Sequence, residues 1–268
     1  MIIAKINKFI SKMYKIFEGH VAIVTGAGQG IGFEIARQLC LKGATVILND
    51  SDAGLADKAA ATISASGGVC VSMPGDASNV GFIKTMVCFA VNTFGSITMA
   101  VANAGLSLYG NFFEYPEEDF DKVMKLNLGG SFYLAQAVSN QMIKQKSGGS
   151  IVFVSSVVGH QALKDLAAYA ITKAGLEMLA KNLVVELSTH NISVNAVAPG
   201  ATLTERTLTF DDYVNAWSAI TPMGRPATVD DIANAVLFFL SPASRHITGQ
   251  SLVIDGGWTS ISPAPPNK

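Results

Sequence analysis

The chain has 268 residues, 49% of them hydrophobic and 15% charged, with a formal net charge of −1. That length suits one large α/β domain or two small ones, and the composition argues for a sizeable buried core and against disorder. The charge gives no electrostatic basis for binding nucleic acid, and no apolar run reaches the roughly 18 residues that a membrane-spanning helix needs. Cys40, Cys70 and Cys88 lack metal-ligand spacing and fall in apolar segments, as buried free thiols of a reducing, cytoplasmic compartment do.

Residues 1–17 carry Lys5, Lys8, Lys12 and Lys15 and no acid, with Ile6, Phe9, Ile10, Met13, Ile16 and Phe17 largely on the remaining surface. This is a basic amphipathic extension, open to three readings: a packing arm, a membrane-surface helix or a targeting peptide. From residue 20 onward, strand-like and helix-like segments alternate. Apolar runs at His20–Thr25, Thr45–Asn49, Val69–Met73, Thr98–Ala102, Ser150–Val154, Ser193–Val197 and Ser251–Ile254 read as seven strands. They are short and nearly continuously apolar, as strands buried on both faces are. Helical stretches lie around 31–42, 52–66, 78–94, 127–146, 167–189 and 229–240. The pattern predicts one α/β domain over 18–258, a doubly wound seven-stranded parallel sheet with helices on both faces, and a tail over 259–268. Residues 111–116 and 201–222 fit the alternation least. The second segment holds Thr202, Thr204, Phe210, Tyr213 and Trp217, and a long excursion after a strand end is where such sheets place a ligand lid.

The first strand runs into Thr25-Gly26-Ala27-Gly28-Gln29-Gly30-Ile31-Gly32 ahead of an apolar helix. Glycines let the backbone turn tightly and approach a pyrophosphate at the positive end of the helix dipole. The spacing is Gly26-x-x-x-Gly30-x-Gly32, and the widespread Gly-x-Gly-x-x-Gly pattern is not met. Asp50 ends the second strand, where a carboxylate accepts hydrogen bonds from an adenosine ribose diol and repels a 2′-phosphate. No cation adjoins it, so NAD is preferred over NADP. The competing role for Asp50 is the amino-terminal cap of the helix over 52–66, which Ser51 or Asp52 could equally supply.

Tyr169 and Lys173 stand four apart within an apolar helical stretch and so share a face. A cation ~4 Å from a phenol favours phenolate by up to ~4 kcal/mol at an effective dielectric of ~20, enough to bring its pKa of ~10 close to neutrality. The pair is a candidate acid/base device.

Together these features resemble the short-chain dehydrogenase/reductase family in its compact, Rossmann-like single-domain branch, over about residues 18–258. Thr25–Gly32 is similar to the family's Thr-Gly-x-x-x-Gly-x-Gly loop, and Asn103-Ala104-Gly105 to its Asn-Ala-Gly motif. Asp76, followed by Ala77, resembles the adenine-contacting Asp, and Asn127 the helix-kink Asn that holds a proton-relay water. Ser156 precedes Tyr169 by thirteen residues, as the family's catalytic Ser does, which favours it over Ser155. Pro199-Gly200, with Thr202 and Thr204, resembles the turn that shields the nicotinamide.

The resemblance implies hydride transfer at a carbinol carbon. Tyr169 exchanges the hydroxyl proton, Ser156 donates to the substrate oxygen, Lys173 lowers the Tyr169 pKa and holds the nicotinamide ribose, and Asn127 holds water. It also implies a homotetramer built on the helices over 127–146 and 167–189 and on the carboxyl-terminal strand; the small-residue face of Ala167, Ala168, Ala170, Ala174 and Gly175 would allow close helix packing there, or else serves ordinary packing on the sheet. His160, Gln161, Asn111 and Thr202 could line a pocket for a sugar, whereas Leu106, Leu108, Tyr109, Phe112, Leu163 and Trp217 could line an apolar one. The reading is an NAD-dependent oxidoreductase acting on a small-molecule secondary alcohol or ketone. The alternatives are a 3-oxoacyl thioester reductase, a halohydrin lyase on the same fold, and a dinucleotide-sensing protein without turnover.

Overall fold

The computed structural model describes residues 15–262. Seven strands form one sheet in the order β3-β2-β1-β4-β5-β6-β7, every neighbouring pair parallel. They are β1 (Val21–Val24), β2 (Thr45–Leu48), β3 (Val69–Ser72), β4 (Met99–Ala102), β5 (Gly149–Val154), β6 (Ile192–Pro199) and β7 (Ser251–Ile254). All seven coincide with the apolar runs of the sequence to within two residues at either end.

Both faces are covered. Ala22 and Val24 of β1 point into a core shared with α1 (Gly30–Leu41), α2 (Ala53–Ala65) and α8 (Val229–Leu240). Val21 and Ile23 point the other way, towards α3 (Val80–Phe94), α5 (Ser131–Gln145) and α6 (Ala167–Leu187). Each fully buried Ile or Leu contributes ~1.5–3 kcal/mol, and this two-sided burial is why the strands lack polar alternation. Strand order reverses between β1 and β4, opening a crevice at the carboxyl edge of the sheet.

Several expectations are corrected. Phe17, assigned by sequence to the extension, is fully buried, and its N–H donates to the Lys42 carbonyl at 3.0 Å. The folded body therefore begins before residue 18, while the lysine stripe up to residue 14 lies outside the described residues. At the other end the chain continues into a turn over Trp258–Ser260, held by the Thr259 N–H on Asp255 Oδ2 at 2.7 Å; residues 263–268 lie outside the described residues. Cys40 and Cys70 are buried, but Cys88 is exposed. The helix expected from 127 starts earlier: α4 (Glu117–Val123) passes into a π turn, Met124–Gly130, and then into α5. The lid segment contains α7 (Tyr213–Ile220). On α6, Gly175 packs within the subunit, a Cβ there standing 3.2 Å from Leu128, while Ala167 and Ala174 of the small-residue face are exposed.

Candidate functional site

The carboxyl ends of β1, β4, β5 and β6 surround the crevice. From β1 the chain turns through Gly26 and Gly30, both at φ +61°, into α1. The tightest point is Gly32, where a Cβ would lie 2.3 Å from the Gly26 carbonyl oxygen and 2.5 Å from Asn103 Nδ2. Gly32→Ala is therefore expected to cost about 1–3 kcal/mol of stability by overpacking, read as a lowered Tm. An unchanged Tm would show that the loop has room to give.

Asn103, just after β4, clamps this loop. Its Nδ2 donates to the Thr25 and Gly26 carbonyls at 3.0 and 2.8 Å, while Thr25 Oγ1 accepts from the Asn103 and Ala104 N–H groups. Three helix starts carry a side-chain cap: Asp52 on α2, Asn79 on α3 and Thr228 on α8. α1 has none, nor an acid in its first turn. Its amino-terminal N–H groups are left to an external acceptor, and the glycines keep the approach clear, which fits a pyrophosphate.

Asp50 sits beside that loop. Its Oδ2 accepts from the Gly28 N–H at 2.9 Å and its Oδ1 from the Asp52 N–H at 3.1 Å. The cap of α2 is Asp52, accepting from Leu55 N at 2.9 Å, so the competing role for Asp50 falls away. Asp76 is exposed; although burial raises its pKa, hydrogen bonds from Ser78 outweigh that and hold the carboxyl below its usual value. Ala77 beside it is buried, its carbonyl oxygen 2.6 Å from where a Gly130 Cβ would be.

A cavity of about 660 Å³ opens next to the loop and gathers Ser156, Tyr169 and Lys173. Ser156 follows β5 and accepts from the Val158 N–H at 3.2 Å. The Ser155 hydroxyl is turned onto α6, facing the Lys173 carbonyl (2.9 Å) and Glu177 Oε1 (2.7 Å). Lys173 is buried and donates to the Val154 carbonyl at 2.7 Å, with Nζ 5.3 Å from the centre of the Tyr169 ring. Burial lowers the Lys173 pKa to about 8. Burial also pushes the Tyr169 phenol above its usual value, against the pull of the Ser156 hydroxyl and the Arg206 charge. The net displacement of the phenol is thus upward and set by burial, whereas a neighbouring Lys173 charge alone was expected to bring it down. Desolvation drives both groups towards their neutral forms.

Asn127 lies in the π turn and is completely buried. Its Oδ1 accepts from the Leu106 N–H at 2.7 Å, and its Nδ2 donates to the Leu106 carbonyl (2.9 Å) and to Thr172 Oγ1 (3.2 Å). Thr172 Oγ1 in turn donates to the Tyr169 carbonyl at 2.7 Å. The side chain therefore ties the loop after β4 to the α6 turn that bears Tyr169. π turns of this kind recur at functional sites.

Ile31, Pro199, Gly200, Thr202 and Thr204 line the same cavity, with Trp217, Phe210 and Tyr213 from the lid. Seven expected pocket residues do not: His160, Gln161, Asn111, Leu106, Leu108, Phe112 and Leu163. His160 Nε2 is engaged 2.9 Å from Glu177 Oε1 behind the site, and Gln161 does not reach the cavity. Asn111 accepts from the Phe113 N–H, Leu163 packs on the Val157–Leu166 cluster, and Phe112 is exposed outside. Of the apolar candidates, Tyr109 and Trp217 reach the cavity. Arg206, Ser107 and Thr207 also line it and were not singled out; Arg206 had one sequence signal, as the only basic residue in 201–222.

A family model described as "Enoyl-(Acyl carrier protein) reductase" matches residues 26–259. L-rhamnose 1-dehydrogenase (NAD(P)(+)) of Sphingomonas sp. (strain SKA58) is 34% identical, over 91% of this chain and 97% of that protein. The 3-oxoacyl-(acyl-carrier-protein) reductase of Staphylococcus epidermidis (strain ATCC 35984) is 37% identical, over 88% and 97%. The crystal structure of a short-chain type dehydrogenase/reductase from Mycobacterium marinum superposes with a TM-score of 0.87 at 31% identity, covering 92% of this chain and 99% of that one.

Proposed function

Because the chain belongs to the short-chain dehydrogenase/reductase family, we propose that it is an NAD-dependent oxidoreductase acting on a secondary alcohol or ketone. The observation that carries this reading is the meeting of Ser156, Tyr169 and Lys173 in one cavity beside the uncapped start of α1. A bound nicotinamide dinucleotide supplies the hydride exchange with the carbinol carbon. The Gly26–Gly32 loop, with Gln29 and Ile31, would hold its pyrophosphate, Asp50 the adenosine ribose, and Asp76 and Ala77 the adenine side. Lys173 would hold the nicotinamide ribose, with Pro199, Gly200, Thr202 and Thr204 around the ring; Asn103, Ala104 and Gly105 support the floor.

The chain's own chemistry is proton transfer and polarisation. Tyr169 takes the substrate hydroxyl proton during oxidation and returns one during reduction. Ser156 donates to the substrate oxygen, stabilising the charge that develops there. Lys173 places a positive charge beneath the phenol, and Asn127 fixes the helix turn that carries it. Exposed Phe132 and Tyr133 on α5, with Ile171 and Met178 on α6, favour assembly into the tetramer that the sequence suggests.

A 3-oxoacyl thioester reductase is the second reading, favoured by the 37% identical relative; the uncompensated Asp50 weighs against it. Nicotinamide absorbance followed with NAD and NADP, across sugars, polyols, acyl thioesters and hydrophobic alcohols, tests both. NAD-linked oxidation is expected. In Asp50→Ala, the NAD-over-NADP ratio of kcat/KM should fall about 10- to 100-fold, the worth of charge-assisted bonds to a diol. Wild-type turnover that prefers NADP would overturn the Asp50 argument.

A further inference from the structure

The lid contributes a cation that the proposed proton transfer does not use. Arg206 lines the cavity with Ser156, Tyr169 and Lys173, and no Asp or Glu lines it. Its Nη2 donates to the Ser107 carbonyl at 3.0 Å, reaching from the lid to the loop after β4. That bond occupies one N–H of a planar group that carries five, so a bidentate edge remains. Among the described residues no carboxylate stands within salt-bridge distance of the guanidinium. Its charge nevertheless reaches the reacting centre, since it pulls on the Tyr169 phenol.

An anion facing Arg206 could belong to the substrate or to the cofactor pyrophosphate. The tether to Ser107 holds the guanidinium on the wall formed by the loop after β4. Over the glycine loop the lid presents other atoms: Thr204 Cγ2 and Glu205 Oε2 lie 3.4 and 3.6 Å from where a Gly30 Cβ would stand. The geometry favours the substrate.

We propose that Arg206 is a specificity-determining residue, receiving a carboxylate or sulfonate on the alcohol or ketone substrate while Tyr109, Phe210 and Trp217 cover its apolar body. The assignment rests on the oxidoreductase reading above. Arg206 is exposed at the rim of the cavity, and its fork-shaped donor pairs with an anion where the neutral ester offers no charge.

The test pairs lactate, 3-hydroxybutanoate and 4-hydroxypentanoate with their methyl esters as substrates under NAD. One acid is expected to exceed its ester in kcat/KM by about 10- to 100-fold, and Arg206→Gln to collapse that ratio. Arg206→Lys, which keeps the charge without the fork, should retain part of it. Equal use of acid and ester by the wild type overturns the inference. So does an acid preference that survives in Arg206→Gln while NAD affinity is lost, which would place the anion on the cofactor. Calorimetric titration of the NAD-loaded protein with the same acids and esters reads binding without turnover. Arg206-dependent acid binding, even without turnover of these three acids, sustains the anion site, and acid and ester binding alike would overturn it; the oxidoreductase reading itself stands or falls on the broader substrate panel above.

Discussion

Tyr169→Phe is expected to lower kcat by about 10²- to 10⁴-fold, the usual contribution of a positioned acid/base group. The ring, its packing and the carbonyl accepting from Thr172 all survive the change. Dinucleotide affinity should therefore hold within a few-fold, and the loss should fall on kcat rather than on binding. A pH profile adds a sign. Alcohol oxidation needs the phenolate, and burial raises the Tyr169 pKa, so the wild-type oxidation rate should climb with pH through the neutral range and beyond. The variant's residual rate should lack that rise. A variant within tenfold of wild type would remove Tyr169 from the chemistry.

Lys173→Met is expected to abolish turnover and, unusually for a substitution in a core, to stabilise the fold. The depression of the Lys173 pKa from 10.5 to about 8 reflects desolvation of a buried ammonium. At about 1.4 kcal/mol per unit, that charge opposes folding by roughly 3 kcal/mol. Methionine fills a similar volume without the charge. Leaving the Val154 carbonyl without its donor returns about 1 kcal/mol, so the net gain is about 2 kcal/mol at pH 7. The penalty is fully present below pH 8, where the amine is charged in both states. Between about pH 8 and 10.5 the unfolded chain binds the extra proton, so wild-type stability rises with pH and closes the gap. Denaturant titrations at pH 7 and pH 10.5 check this; a variant less stable than wild type at pH 7 would refute it.

The sheet was legible because strands buried on both faces have to be apolar at consecutive positions, and Gly, Asn or Asp mark where each ends. The helix Glu117–Val123 was not, since its seven residues bury only Val123 and present no apolar stripe. α7 has no buried residue at all and left no periodic trace. The π turn is a matter of backbone bonding, to which Met124–Gly130 gives no compositional clue. Ser156, Tyr169 and Lys173, singled out by their spacing along the chain, line one cavity. Residues whose partners depend on the folded chain were not legible in this way. His160 meets Glu177 across a turn and a helix, and Arg206 meets Ser107 ninety-nine positions away. Asp50 and Asp52 were equivalent as cap candidates until hydrogen-bond geometry separated them.

The uncapped beginning of α1 couples this protein's persistence to its ligand. Any anion held there binds the folded chain alone, and occupancy at 100 times Kd adds about 2.7 kcal/mol to the cost of unfolding. Heat or protease resistance then reports which dinucleotide fills the loop before a single substrate is known. In a cell, the same linkage would make the protein's abundance follow the supply of that dinucleotide.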